Sequence, residues 1–154
     1  MEQNSTLFQK DGKYFLQLDC ENAKELSLKW DDKTYSFVKD GEKWILELPF
    51  STAVNYVQIC VDGQEVLLPE LPIGHGYGRL YNYIELPDEK KLAEIRDIPH
   101  GTLTYEFYKS EISNNWERFI VYLPPCVPSA GLPVLYLQHG FGESEISWTT
   151  TGKA

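Results

Sequence analysis

Short runs of alternating apolar and polar residues, separated by turn-forming residues, fill the first two-thirds of this 154-residue sequence. One run places Leu16 and Leu18 on one face and Gln17 on the other. A period of two predicts half-buried β-strands, because successive side chains of a strand point to opposite sides of the sheet. Similar runs lie near residues 26–30, 44–48 and 56–61, and Val61-Asp62-Gly63-Gln64 is a predicted tight turn. The pattern favours an antiparallel β-sandwich over residues 1–87.

The rest of the sequence has a different pattern of residue types. Residues 69–83 lose the alternation and mix prolines, glycines and aromatics, so an ordered loop is predicted there. The charged residues 88–100 are interpreted as a linker. Two further strands are predicted in residues 101–154, followed by an uninterrupted apolar run at 133–137. Such a run is typical of a parallel strand that is buried on both faces.

Charge and cysteine content exclude several classes of function. The formal net charge is −9, from 14 basic and 23 acidic residues, which repels phosphate backbones and anionic lipid. We therefore expect neither nucleic acid nor membrane as a partner. The N-terminus lacks the apolar stretch of a signal peptide, and the three cysteines are widely spaced without a CxxC pair. Free thiols and a cytoplasmic location are the resulting expectations.

Three segments of the second part resemble one known family. They are DIPHGT at residues 97–102, RFIVYLPP at 118–125 and LPVLYLQHGFG at 132–142. Together they resemble the esterase family that holds feruloyl esterases, acetylxylan esterases and enterochelin-esterase-like proteins. The resemblance implies that residues 101–154 are the first strands of an incomplete α/β-hydrolase domain. It also implies that residues 1–87 form an immunoglobulin-like E-set domain similar to glycogen-binding modules.

This resemblance assigns a chemical role to the segment after the apolar run. In α/β-hydrolases the loop after an early strand supplies a backbone N–H to the oxyanion hole. His139 and Gly140 would belong to this oxyanion loop, and the N–H groups of Phe141 and Gly142 would be its donors. No GxSxG nucleophile motif occurs in the 154 residues, so the nucleophile and the triad would lie elsewhere.

The chain is therefore expected to be an N-terminal fragment of a serine carboxylic-ester hydrolase that is inactive by itself. The expected substrate is a small-molecule or carbohydrate-linked ester, such as a feruloyl, acetyl or siderophore ester. No cofactor is expected, and the three widely separated histidines predict no metal site. Because residues 133–137 would lack the strands that flank them in a complete domain, self-association through the unfinished sheet is also an expectation.

Aromatic residues of the first part leave two alternatives open. Tyr77, Tyr81 and Tyr83 are candidates for stacking on sugar rings, and Tyr77 and Tyr81 are candidate substrate-binding residues. Trp30 and Trp44 fall on the apolar side of their strands and are expected in the core. The first alternative is therefore a carbohydrate-binding module, and the second is a structural β-sandwich without a ligand.

Overall fold

The computed structural model of this protein describes residues 6–52, 54–87, 96–128 and 131–150. The chain divides into two units, Met1–Leu92 and Ala93–Ala154. The strands of both units pair in antiparallel sheets. The linker expected over residues 88–100 stays a prediction, and its residues 88–95 lie outside the described part of the chain.

Within its described residues, the first unit contains ten strands in two antiparallel sheets. They are β1 (Thr6–Lys10), β2 (Lys13–Leu18), β3 (Leu26–Trp30), β4 (Lys33–Ser36), β5 (Val38–Asp40), β6 (Lys43–Glu47), β7 (Val54–Val61), β8 (Gln64–Val66), β9 (Ile73–Gly76) and β10 (Arg79–Glu85). The first sheet has the order β1-β2-β6-β5. The second sheet has the order β4-β3-β7-β10-β9, with β8 also paired to β7.

The two sheets share one hydrophobic core. Leu16 and Leu18 of the first sheet belong to the same buried cluster as Leu28, Ile59 and Ile84 of the second. These residues occupy alternate positions of their strands, so that one face of each sheet is removed from water. Two antiparallel sheets with a common core are the arrangement of a β-sandwich. The predictions of strands at β2, β3, β6 and β7 are confirmed.

A hairpin occupies much of the segment that the sequence assigned to a loop at residues 69–83. That prediction was wrong, because β9 and β10 pair there as antiparallel strands. Their two-residue turn consists of Tyr77 and Gly78, both at positive φ, +50° and +77°. This is a type I′ turn, whose central residues are typically Asn-Gly. The turn was not recognised in the sequence because a tyrosine occupies its first central position.

A buried amide fixes the segment that leads into this hairpin. Asn82 of β10 faces the core and is 1% exposed. Its Oδ1 accepts a hydrogen bond from the Leu68 N–H at 2.9 Å, and its Nδ2 donates to the Leu68 carbonyl at 2.8 Å. Nδ2 also lies 3.4 Å from the carbonyl oxygens of Leu71 and Pro72. The amide is thus the partner of the Leu68 N–H and the Leu71 carbonyl, whereas the carbonyls of Leu68 and Pro72 also accept backbone N–H groups.

Asp62 ties the turn between β7 and β8 to the segment before β3. The turn has positive φ at Asp62 and Gly63, as the sequence predicted for a tight turn. The Asp62 Oδ1 atom accepts hydrogen bonds from the backbone N–H groups of Glu25 at 2.9 Å and Lys24 at 2.8 Å. These two bonds lower the pKa of the Asp62 carboxyl.

This lowered pKa predicts a pH-dependent contribution to stability. A carboxyl whose pKa is lower in the folded state stabilises the fold above its unfolded pKa of about 3.9. That contribution is lost as the pH falls through the folded pKa. Asp62→Asn keeps an oxygen acceptor and tolerates positive φ, but it does not titrate. The difference in unfolding free energy between wild type and Asp62→Asn should be largest above about pH 5 and shrink in acid. Urea denaturation at several pH values measures it, and a difference that stays constant with pH would refute the prediction.

The second unit contains a hairpin with a solvent-exposed surface. β11 (Thr102–Lys109) and β12 (Trp116–Leu123) pair along their whole lengths, which confirms two predicted strands. A short helix, α1, spans Ser147–Thr150. Large apolar side chains of the hairpin are exposed, including Phe107 and Trp116.

The buried parallel strand predicted at residues 133–137 is not formed. These residues have no strand assignment, and Val134 and Tyr136 are 72% and 89% exposed. A parallel strand requires neighbouring strands for its hydrogen bonds and layers on both faces for its side chains. The described residues of the second unit provide neither, which explains why an apolar run remains in solvent.

The three cysteines are free thiols in different surroundings. Cys60 is buried, Cys20 is half-buried and Cys126 is exposed. Burial, followed by the negative charges of Glu70 and Asp19, raises the pKa of the Cys20 thiol. Among the described residues, no helix is long and apolar enough to cross a membrane.

Candidate functional site

A tight turn forms the centre of the candidate oxyanion loop, residues 139–142. The Glu143 N–H donates to the Gly140 carbonyl oxygen at 3.2 Å, which closes a four-residue turn. Gly142, at the third position, has φ of +76°, whereas Phe141 does not have positive φ. This combination defines a type II turn. Glycine is required at position 142 because an L side chain is strained at this φ.

The turn leaves two backbone donors available. The Gly140 N–H donates to the Glu143 carboxylate, with Oε2 at 3.3 Å. The N–H groups of Phe141 and Gly142 make no hydrogen bond to any residue that the structure describes. The Phe141 side chain is fully exposed, so it does not pack over these two N–H groups. These are the two donors predicted from the sequence, and their role toward an anionic oxygen stays a prediction.

Polar side chains make contacts at both ends of this loop. The His139 ring places Nδ1 2.9 Å from the Gly140 carbonyl oxygen, so the hydrogen bond requires a protonated Nδ1. The Arg118 guanidinium of β12 pairs with Glu145, with Nε 2.5 Å from Oε1. Burial acts to raise the pKa of Glu145, but hydrogen bonds from its own backbone N–H and from Arg118, together with the charges of Arg118 and His139, lower it overall. Glu145 therefore stays ionised and joins the segment after the loop to the hairpin.

The serine next to this loop does not resemble a nucleophile. Ser144 lies two residues after Gly142, and its backbone N–H donates to the Ser147 Oγ atom at 3.2 Å. That contact is local to the segment before α1. No hydrogen bond joins a histidine ring to the Ser144 hydroxyl among the described residues, so the pairing that activates a serine is not present.

The first unit carries a separate groove of about 590 Å³ on the outer face of its second sheet. We call it the tyrosine groove. Its lining comprises residues 29–34, Tyr56, Gln58, Tyr77 and Tyr81. Tyr56 and Gln58 belong to β7, where they alternate with the core residues Val57 and Ile59. The alternation that buries one face of the sheet therefore places these polar and aromatic side chains on the other.

The predicted residues Tyr77 and Tyr81 lie together in this groove. Their ring centroids are 6.4 Å apart at an interplanar angle of 77°. The centroids of the Tyr81 and Tyr56 rings are 5.8 Å apart. The Arg79 guanidinium lies over the Tyr81 ring, 4.2 Å from its centroid. Sequence reasoning missed Tyr56. Its position between Asn55 and Val57 in an alternating strand was the signal that it faces away from the core.

Tyr77 combines backbone strain with exposure. Its φ of +50° is unfavourable for a residue with a Cβ by roughly 1–2 kcal/mol. Its side chain is 73% exposed, so core packing does not compensate for this cost. Strain at an exposed aromatic residue is a reason to infer a function for that residue.

The other candidate aromatics have structural contacts. Trp44 is buried in the core and its Nε1 donates to the Cys20 carbonyl at 3.0 Å, which confirms its predicted place. Trp30 packs against the core and lies 5.1 Å from the Phe50 ring, but it also lines the groove. Tyr83 contacts Tyr56 at 6.3 Å and does not line the groove.

The histidines do not form a metal site in the described part of the chain. The residues that it contains include no cluster of three or more His, Cys, Asp or Glu side chains suited to a metal ion. His100 contacts the Arg96 carbonyl at 2.8 Å, and the His75 carbonyl accepts a hydrogen bond from the Tyr56 hydroxyl at 3.3 Å.

The chain is similar to part of a known protein. No protein-family model matches the chain. An endo-1,4-beta-xylanase/feruloyl esterase of Xylanibacter ruminicola is 34% identical over 116 residues, which cover 70% of this chain. The match covers 16% of that relative, so the chain spans a small part of its length. This similarity supports a distant relationship to esterases.

Proposed function

We propose that this chain is a portion of a serine carboxylic-ester hydrolase, to which it contributes the oxyanion loop. The observation that carries this proposal is the pair of unengaged N–H groups at Phe141 and Gly142. They lie in the segment that resembles the first glycine loop of feruloyl and acetylxylan esterases. The partial similarity to a xylanase/feruloyl esterase supports the same reaction class.

In this proposal the two N–H groups stabilise charge that develops during acyl transfer. A serine Oγ attacks the ester carbonyl carbon, its proton passes to a histidine base, and the carbonyl electron pair moves onto oxygen. That oxyanion accepts hydrogen bonds from Phe141 and Gly142. Collapse of the intermediate expels the alcohol, which takes the proton from the histidine, and leaves an acyl-serine that water then hydrolyses. The serine, the base and its orienting acid are supplied by residues other than these 154, since no GxSxG occurs among them.

The two units take distinct roles in this proposal. The second unit corresponds to the opening strands of an α/β-hydrolase domain, and the first to an immunoglobulin-like E-set domain. As substrates, esters between a carbohydrate and an acyl group are favoured over siderophore esters. The reason is that the similar protein is named both a xylanase and a feruloyl esterase.

The proposal predicts that the 154 residues alone do not hydrolyse p-nitrophenyl acetate above the buffer rate. Without a serine nucleophile the oxyanion donors have no intermediate to stabilise. Turnover by the purified chain that is blocked by a serine-directed fluorophosphonate would contradict this expectation.

Reading the coding sequence after codon 154 tests the proposal itself. We expect an open frame with GxSxG, followed by aspartate and histidine, whose product reacts with the fluorophosphonate and cleaves methyl ferulate. A product without the motif and without labelling would refute the esterase assignment.

Carbohydrate binding by the first unit is a second candidate function. The observation that favours it is the tyrosine groove, where four aromatic side chains, Trp30, Tyr56, Tyr77 and Tyr81, are accompanied by hydrogen-bonding groups. Its volume of about 590 Å³ lies within the range of small-ligand sites. This function is compatible with the first, because a glycan-binding unit would hold a polysaccharide near an esterase that removes its acyl groups.

A further inference from the structure

The tyrosine rings of the groove meet edge to face. Tyr77 and Tyr81 are inclined at 77°, and Tyr56 and Tyr81 at 63°. A flat crystalline polysaccharide presents many parallel chains in one plane, and contact with it requires rings that lie in a common plane. Rings that are nearly perpendicular instead form a corner. A corner encloses one sugar ring on two sides and excludes a flat surface.

The polar lining of the groove is electrically balanced. Lys29 and Lys33 carry positive charge, and Asp31 and Asp32 carry negative charge. Gln58 lies directly opposite Lys29 in the pairing of β3 with β7, and both side chains line the groove. These groups donate and accept hydrogen bonds, as sugar hydroxyls require. The net charge of −9 on the whole chain disfavours a polyanionic glycan.

We propose that the corner formed by Tyr77 and Tyr81 binds a single soluble chain of a neutral polysaccharide and not a crystalline polysaccharide surface. This inference rests on the second candidate function and specifies its ligand. The C–H groups on one face of a pyranose or pentose ring pack on the electron-rich face of a tyrosine. Its hydroxyl groups are then directed to the lysine, aspartate and glutamine side chains of the lining.

Tyr77 determines the affinity of this corner. Its ring is the more exposed wall, and it is held there by a backbone conformation that asparagine or glycine adopts with less strain. Tyr77→Asn removes the ring and suits the type I′ turn better. The variant should therefore lose binding without losing stability, which separates a ligand contact from a structural role.

Native affinity electrophoresis of the 154-residue chain tests this proposal. The net charge of −9 carries the protein into the gel, and soluble arabinoxylan, galactomannan, mixed-linkage β-glucan or glycogen is cast into it. At least one polysaccharide should retard the wild-type chain. Tyr77→Asn should raise the apparent dissociation constant at least tenfold, while its Tm stays equal or rises by about 2–8 °C. Sedimentation with microcrystalline cellulose should leave the wild-type chain in solution.

A matched control is Phe8→Ala, which removes one ring of a stacked aromatic pair on the first sheet, with centroids 5.4 Å apart at 13°. Its retardation should stay within twofold of wild type. Retention on cellulose that Tyr77→Asn abolishes would overturn the single-chain inference but keep carbohydrate binding. Retardation that is insensitive to Tyr77→Asn would overturn the site. Absence of both retardation and retention would overturn carbohydrate binding by this unit.

Discussion

Phe141→Pro is expected to lower kcat about 10²–10³-fold in an esterase that carries this chain together with its nucleophile. Proline is favoured at the second position of a type II turn, which Phe141 occupies, so the turn itself should persist. The substitution removes one N–H and leaves the rest of the loop in place. Loss of one oxyanion donor corresponds to roughly 2.7–4 kcal/mol of transition-state stabilisation. Steady-state hydrolysis of methyl ferulate measures kcat and KM separately.

Phe141→Ala provides the matched comparison for this experiment. It removes the same exposed ring but keeps the N–H, so kcat should fall far less than in the proline variant. A change mainly in KM would identify a contact of the ring with substrate. Equal losses of kcat in the two variants, or no loss in the proline variant, would exclude the Phe141 N–H as a donor to the oxyanion.

Asn82→Ala is expected to destabilise the first unit by roughly 2–4 kcal/mol. Removal of the amide leaves the half-buried Leu68 N–H and the Leu71 carbonyl without their partners at 2.9 and 3.4 Å, whereas the Leu68 carbonyl keeps a hydrogen bond from the Leu71 N–H. An unpaired buried polar group costs about 1–3 kcal/mol, and the side chain satisfies at least two. Scanning calorimetry should show a Tm lower by more than about 10 °C.

The exposed residue Asn22 offers a control for the buried amide. Asn22→Ala should change the unfolding free energy by less than about 0.5 kcal/mol, as expected of a surface substitution. If Asn82→Ala were equally mild, the loop between β8 and β9 would not depend on the hydrogen bonds of the amide.

Alternation of apolar residues predicted the strands whose buried faces form the core, because burial acts on every second residue. β2 and β7 were found in this way from Leu16, Leu18 and Ile59. β1 was missed since its side chains other than the half-buried Phe8 are polar or exposed, although Asp11-Gly12 after it is a typical hairpin turn. Asn82 could not be predicted as a core residue, because its burial depends on carbonyl groups brought near it by the loop before β9.

Local sequence also defined only part of the candidate sites. Gly140 and Gly142 indicated a turn in the oxyanion loop, and Gly142 has the positive φ that favours glycine. The tyrosine groove depends on pairing between strands that are distant in sequence, which places Tyr56 beside Tyr81. The apolar run at 133–137 predicted a strand wrongly, because a strand requires partner strands and the described residues do not supply them.

Because the three cysteines differ in exposure, a thiol reagent can label one of them selectively. A maleimide at neutral pH reacts with accessible thiolates, and Cys126 is the exposed thiol, whereas Cys60 is buried and the pKa of Cys20 is raised. A fluorophore introduced at Cys126 would occupy the loop between β12 and the oxyanion loop without any engineered mutation. Its emission would provide an optical signal from the second unit while ligands are added to the first.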